Sequence, residues 1–330
     1  MSKSTLLFPS CVIILNCSQV EKAIELFGAE KNRDLLSQAF VVGATCYSCI
    51  TGVYKRDQHI EFPIVILDEC SQMTEPTSIL PLSHFCTRRA LLIGDPEQLQ
   101  PTLPRAAISH RGGGHGLERT AFERISAMIT PILLREQYRC HPDISAVSNR
   151  LFYRGMLRDG IRAENHPSIL SLPNVIYVDT KASNEAYMNK SVMNVIEAKV
   201  LVSVLQALKQ CDSSLDIGVV SLYKSQVSQI RAELNSATLS CSPDSILVST
   251  VDAFQGGERD VILLSTVRTS LASGSFFEDR RRINVALTRA KRVLVVFGHG
   301  QVLRKSNLWS KVIETFTALT KEEILHKLRQ

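Results

Sequence analysis

Residues Ile64–Glu69 read IVILDE, and residues Leu91–Pro101 read LLIGDPEQLQP. Each is an unbroken apolar run closed by an acidic pair or a Gly-Asp turn. Unbroken runs, as opposed to alternating ones, are what strands covered on both faces require, and parallel sheets flanked by helices supply that cover. Similar runs occur at Phe40–Thr45, Phe62–Leu67, Ala90–Gly94, Asn174–Val178, Ile217–Leu222, Ile246–Thr250, Val261–Thr266 and Val293–Gly298. Helical spacing is found at Val192–Leu208, Gln226–Leu234 and Ile283–Arg289. Strand alternating with helix predicts an α/β fold with parallel sheets. The alternation restarts near Thr130 and Pro131, after the loop-rich Pro101–Gly116. Two α/β units in tandem are expected, 1–129 and 130–330.

A chain of 330 residues is long enough for two such cores. The formal charge of +6 permits a polyanionic partner without demanding one. No apolar run is long enough to span a bilayer and no N-terminal stretch has the layout of a signal peptide, so no membrane partner is expected. The cysteines number 9, an odd count scattered along the chain, which reads as reduced thiols. Cys46 and Cys49 form the one close pair. A zinc site would need two more ligands at similar spacing, so two semi-buried thiols are the default.

Several segments carry chemistry. Asp68 and Glu69 close a buried strand, and ligands of open α/β sheets gather at such carboxyl ends. An Asp there can hold Mg²⁺ through water and a neighbouring Glu can orient or deprotonate an attacking water. Gln98 follows the Gly-Asp turn, and its amide can donate and accept at a phosphate or a lytic water. In Leu134–Pro142, LREQYRCHP, Arg139 offers a planar fork to phosphate and Tyr138 an aromatic face to a base. Arg281, Arg282, Arg289 and Lys291 concentrate positive charge in RRINVALTRAK. Arg281, Thr288 and Arg289 fall at spacings that would share one helix face. Taken singly, each segment also has an ordinary reading: a surface acidic pair, a turn, an interdomain salt bridge, a solvated basic helix.

Their order is far more specific. DECSQ, GDPEQLQP, QYRCHP, LYKSQ, VDAFQGGE and NVALTRAK, read in sequence, resemble motifs II to VI of the superfamily 1B helicases of the nonsense-decay and DNA-replication helicase/nuclease type. The resemblance covers roughly Phe40 to His299. It implies two RecA-like domains, the first incomplete, and an ATP-dependent motor with ATP and Mg²⁺ as cofactors. It further implies that Asp68 binds Mg²⁺, Glu69 is the catalytic base and Gln98 senses the γ-phosphate. Arg139 and Arg289 become arginine fingers reaching from the second domain, Tyr138 stacks near adenine and Glu258 contacts the ribose. Thr45, Thr250 and the Tyr223–Gln226 turn face the nucleic acid or couple it to hydrolysis. Single-stranded DNA is the expected partner, with RNA as the alternative polyanion. Movement from 5′ to 3′, DNA repair alongside repair proteins, a nuclear location and a monomeric state complete what is expected.

One departure is large. Helicases of this kind need a GxxxxGK[ST] loop whose backbone N–H groups cradle phosphate and whose Lys neutralises it. No such string occurs in the 330 residues. Lys3–Leu7 resembles only the tail of one, which reads as a shortened product. Smaller departures are Cys70-Ser71 after Asp-Glu, Gln100 in place of a proline and Cys140 in place of a methionine. Two readings therefore stand for this polypeptide: a helicase motor, or a binding fragment with little or no hydrolysis. A first sheet lacking an interior strand is expected to expose apolar surface and to be marginally stable before about Thr130.

Overall fold

The computed structural model describes residues 11–14, 39–50, 62–85, 87–103, 116–167, 169–181, 183–188, 191–237, 242–271 and 276–329. The chain divides into two compact units, Met1–Ile132 and Leu133–Gln330.

In unit 1, strands β1 (Cys11–Ile14), β2 (Val41–Ala44) and β3 (Ile64–Leu67) precede helix α1 (Glu75–His84), strand β4 (Arg89–Leu92) and helix α2 (Ala121–Ser126). The sheet order is β2-β1-β3-β4 and every pairing is parallel. Thr74 caps α1 by accepting from the Thr77 N–H, with proline in its first turn. Thr120 and Glu123 form a reciprocal capping box on α2. Val65 and Leu67 pack with Val42, Ala44, Phe62 and Phe85, and the two phenylalanine rings meet edge to face at 5.0 Å.

The Cys11–Leu15 run, too short to span a membrane, supplies strand β1, which lies between β2 and β3. The interior position thought vacant is thus filled among the described strands. The expected apolar exposure falls on β4 instead. That strand ends the described sheet, and Ala90, Leu91 and the following Ile93 are exposed. Lys3–Leu7 lies outside the described residues.

Unit 2 opens with β5 (Glu136–Gln137), α3 (Pro142–Phe152) and β6 (Arg158–Asp159), in which β5 and β6 form a short parallel pair. Next come β7 (Val175–Asp179), the strands β8 (Ala186–Met188) and β9 (Ser191–Met193), α4 (Val195–Cys211) and β10 (Ile217–Ser221). Then follow α5 (Lys224–Ser236), β11 (Leu247–Thr250), β12 (Arg259–Ser265), α6 (Arg280–Leu287) and β13 (Ala290–Gly298). Helices α7 (Gly300–Lys305) and α8 (Asn307–Ile313), strand β14 (Thr317–Ala318) and helix α9 (Lys321–Lys327) close the unit. Its main sheet runs β11-β10-β12-β13-β7-β14, all parallel. β8 and β9 form a separate antiparallel hairpin.

The helix expected over Val192–Leu208 starts three residues later, because Ser191–Met193 is spent on β9. Asn194 then caps the helix by accepting from the Glu197 N–H at 3.0 Å. Leu201, Leu205 and Leu208 of α4 pack into one core with Ile217, Val219, Leu263, Val293 and Val295. Among the described residues no helix is long and apolar enough to cross a membrane.

Burial ranks the two sheets. Leu263 is fully buried, so Leu263→Ala removes side-chain contacts and leaves a void, at a cost of about 2–5 kcal/mol. Leu91 is 51% exposed, and Leu91→Ser is expected to cost less than about 0.5 kcal/mol. Urea unfolding of the two variants, with probes in their respective units, checks this; equal destabilisation would contradict it.

Candidate nucleotide and nucleic-acid contacts

In unit 1 the register Leu67↔Leu92 brings the turns after β3 and β4 side by side. Asp68 and Glu69 leave the tip of β3, and the Asp68 carboxylate accepts from the Glu69 N–H at 3.0 Å. Glu69 itself has φ 54° and ψ 33°. A non-glycine residue in this left-handed region costs on the order of 1–3 kcal/mol and persists only where its surroundings enforce it. The enforcing bonds are visible. Cys70 N–H donates to the Ile93 carbonyl at 2.8 Å, Ser71 Oγ accepts from Asp95 N–H at 3.1 Å, and Gln72 Nε2 donates to Glu69 at 2.7 Å. Gly94 is required at this crossing, since a Cβ there would lie 2.8 Å from the Ser71 backbone nitrogen. Gln98 donates to Asp95 at 3.0 Å and so belongs to the same loop pair.

Asp68 and Gln98 are half-buried on one sheet edge, and an Asp at a strand tip fits a Mg²⁺ held mainly through water. Cys70 is fully buried, and burial pushes its thiol up to about 12, so it serves as packing. Ser71, one of the smaller departures from the family pattern, is the bridge between the two turns. Thr45, just past β2, shares a 2.8 Å hydrogen bond with the Ser48 hydroxyl and accepts from Ser48 N–H at 3.1 Å; its side chain shapes a tight turn. Cys46 donates to the Met73 sulfur at 3.5 Å. Burial pushes the Cys46 and Cys49 thiols up to about 11 and 12, and no metal-holding cluster of His, Cys, Asp or Glu occurs among the described residues.

Unit 2 gathers a second set. Arg139 Nε donates to Glu258 Oε2 at 2.6 Å, and Lys291 Nζ reaches Glu258 Oε1 at 3.0 Å. Partial burial works to raise the Glu258 carboxyl, but the hydrogen bonds and charges of Lys291 and Arg139 outweigh it and hold it below the usual range. Gln137 fixes the turn that carries Arg139, with its Oε1 accepting from Arg139 N–H and Cys140 N–H at 3.0 and 2.9 Å. Tyr138 is exposed, and its hydroxyl donates to Glu136 at 2.5 Å. Arg289 departs from the expected presentation. It is only 2% exposed, and its guanidinium donates to the carbonyls of Val285 at 3.0 Å and Gly257 at 3.4 Å. Helix α6 ends at Leu287, so Thr288 and Arg289 do not continue a shared face with Arg281. Arg282 is also committed: it grips Asp252 in a two-point pair, bonds Asp279 and stacks over Phe276 at 4.0 Å. Of the basic residues in RRINVALTRAK, Lys291 is the one that pairs with Glu258; Gln137 is legible only in the structure, because nothing in a lone glutamine separates it from surface residues.

The nucleic-acid candidates of unit 2 lie at the carboxyl ends of β10 and β11. Thr250 ends β11, is half-buried, and accepts from Ala253 N–H at 3.4 Å. Tyr223 leads into α5 and lies against Arg268. Of the two roles expected for the Tyr223–Gln226 turn, facing the nucleic acid or coupling it to hydrolysis, the second suits the position of Gln226. It is fully buried, accepts from Asn194 N–H at 2.7 Å and donates to the Asn194 carbonyl and Ser265 Oγ at 3.1 Å each. Its role is to couple loops. The node behind it is Glu197, also fully buried. Glu197 accepts from Ser265 Oγ at 2.5 Å, Val267 N–H at 2.9 Å and Thr180 Oγ1 at 3.3 Å.

Burial pushes the Glu197 carboxyl up to about 7, against those hydrogen bonds, from an ordinary value near 4.5. A raised folded-state pKa gives stability that is complete below about 4.5 and is lost as pH rises toward about 7. The loss is at most about 3 kcal/mol. Urea unfolding at pH 5 and pH 7.5 is expected to show greater stability of unit 2 at pH 5, with that difference shrinking in Glu197→Gln. A pH dependence left intact by the substitution would contradict the assignment.

Comparison with known proteins supplies the family. The AAA domain family matches residues 15–105 and again residues 117–301, the second alone more than half of the chain. The strings Asp68–Pro76, Leu222–Gln226 and Leu303–Ile313 look like those of the GRF-type zinc-finger-containing DNA helicase. The 5'-3' DNA helicase ZGRF1 of Mus musculus is 43% identical over 300 residues, covering 89% of this chain and 16% of that protein. A Regulator of nonsense transcripts 1 homolog of Neurospora crassa is 33% identical over 316 residues, covering 91% of this chain and 28% of that one. Helicase SEN1 of Saccharomyces cerevisiae is 35% identical over 269 residues, covering 77% and 12%. The chain thus spans less than a third of these relatives. With its strand-tip turns, its Arg139–Glu258–Lys291 cluster and these matches, the chain belongs to the AAA-domain family of superfamily 1 helicases.

Proposed function

We propose that this chain is the motor segment of an ATP-dependent helicase acting 5′ to 3′ on single-stranded DNA, with ATP hydrolysis impaired in the 330-residue polypeptide itself. What supports the motor reading best is the pair of turns in unit 1, which puts Asp68, Glu69 and Gln98 on one sheet edge at the cost of a left-handed glutamate. The family and the 5'-3' DNA helicase ZGRF1 support the direction and the strand.

Phosphoryl transfer is catalysed by positioning and charge neutralisation. In this reading Asp68 holds Mg²⁺, which when bound screens the phosphate charge. Glu69 takes the proton of the attacking water, and Gln98 orients that water. Arg139 exchanges its bond to Glu258 for phosphate oxygens, which leaves Glu258 to accept from ribose hydroxyls. Tyr138 presents its ring to adenine. Arg289 joins only if its guanidinium leaves the carbonyls of Val285 and Gly257. Thr45 of unit 1, and Thr250 and Tyr223 of unit 2, contact the nucleic acid, and within unit 2 Gln226 ties the Tyr223 turn to Asn194 and to the end of β12.

The absent GxxxxGK[ST] string favours a second reading for the polypeptide alone: a nucleic-acid-binding or protein-binding fragment with little or no turnover. Without that loop's N–H donors and lysine, the triphosphate charge falls to the arginines and to one Mg²⁺ ligand. Nuclear DNA repair with repair proteins as partners, and a monomeric state, complete the proposal by family resemblance.

Steady-state ATPase measurement with and without single-stranded DNA tests both readings. Binding to DNA is expected, with turnover no higher than that of Glu69→Gln. Robust DNA-stimulated turnover that Glu69→Gln abolishes would overturn the impaired reading, and failure to bind any nucleic acid would overturn the motor reading. In competition between matched DNA and RNA strands, a clear preference for RNA would overturn the choice of DNA.

A further inference from the structure

We infer that the β8–β9 hairpin of unit 2 is a base-stacking platform for single-stranded nucleic acid, with the Tyr187 ring as its stacking face. The inference rests on the nucleic-acid binding proposed above and adds to it a contact from outside the motifs.

A two-stranded hairpin is marginal by itself. This one is fastened at both ends. Before β8, Glu185 accepts from Arg268 Nε at 2.9 Å, Thr269 N–H at 2.7 Å and Ser270 Oγ at 2.7 Å. After β9, Asn194 donates its side-chain amide to Ser183 Oγ at 2.8 Å and to the Val267 carbonyl at 3.2 Å. Midway, Ser225 Oγ donates to the Met188 carbonyl at 2.9 Å and Ser225 N–H to Ser191 Oγ at 3.2 Å. These partners lie in the segments that follow β12 and β10. The strand paired with β10 ends at Thr250. The hairpin therefore stands on the sheet edge that carries Tyr223 and Thr250.

Tyr187 sits on this rigid mount 71% exposed. Every base has a π-face, so an exposed, immobilised aromatic ring suits bases of any sequence. The local charge agrees. Lys181 and Lys224 are exposed in the adjoining segments, and the Glu185 carboxylate is neutralised by its pair with Arg268. A phosphate backbone would meet lysine without an opposing bare carboxylate from the hairpin mount.

The test uses the full chain and fluorescence anisotropy with two probes of equal phosphate number, a dT 20-mer and an abasic 20-mer. Tyr187→Ala is expected to weaken dT binding about 5-fold or more, while Tyr187→Phe and Tyr187→Trp keep it. On the abasic strand all four proteins are expected to bind alike. Thermal melting confirms folding; since Tyr187 is exposed, all variants should melt as the wild type does. Unchanged dT binding by Tyr187→Ala overturns the inference, and so does an equal loss on both probes, which would point to charge or shape instead of stacking. Absence of binding by the wild type to both probes overturns the underlying proposal as well, and is thereby distinguished from failure of the platform alone.

Discussion

A carboxylate buried without hydrogen-bond donors would cost several kcal/mol, enough to threaten a domain of ordinary stability. Glu197 lowers that cost, without cancelling it, by drawing donors from two separate stretches of unit 2: Thr180 after β7, and Ser265 and Val267 at and just beyond the end of β12. The requirement works in both directions. Satisfying the carboxylate fixes the carboxyl ends of those strands, where ligands of parallel sheets gather. Val267 takes a left-handed φ of 73° there, and its N–H bond to Glu197 is one of the contacts that keeps it so. Asn194 and Gln226 extend the same network to the hairpin and to the start of α5.

Unit 1 solves a similar problem with smaller means. Its two turns are joined through Ser71, Asp95 and the backbone of Cys70 and Ile93, and the close approach at Gly94 leaves no room for a side chain. In both units the groups that could touch a ligand are aligned by neighbours that do not. Ser71 aligns the acidic turn, Gln137 aligns Arg139, and Glu197 aligns the loops beside Thr250 and the hairpin. Such supporting residues tie the chemistry to rigid strands.

This division explains what was legible in the sequence. Strands β7 and β10 to β13 of unit 2 could be read because their runs are apolar and largely buried, whereas the short β5, β6, β8, β9 and β14 carry no such run. The acidic pair after β3 and the Gly-Asp turn after β4 were visible as motifs. Strand β1 was not, because its four apolar residues, unlike those of β3, are followed by no acidic pair or Gly-Asp turn that marks them. The start of α4 was misplaced because Val192 continues a helical spacing while its backbone belongs to β9. For Gln226 the resemblance leaves two roles open, facing the nucleic acid or coupling it to hydrolysis; only packing reveals that its amide is spent on Asn194 and Ser265. The resemblance at NVALTRAK makes Arg289 a presented finger, whereas the end of α6 at Leu287 turns it back onto carbonyls of its own unit. Long-range hydrogen bonds of this kind leave no periodic trace along a chain.

If the Glu197 carboxylate is the fastening point, its removal should loosen a defined set of amides and no others. Site-resolved hydrogen exchange on Glu197→Ala, under conditions where unit 2 stays folded, measures this. Faster exchange is expected at Val267, Asn194 and the β9 strand, with Cys140 and the core of β12 keeping wild-type protection. Wild-type protection at Val267 and Asn194 in that variant would contradict the role given to this buried carboxylate.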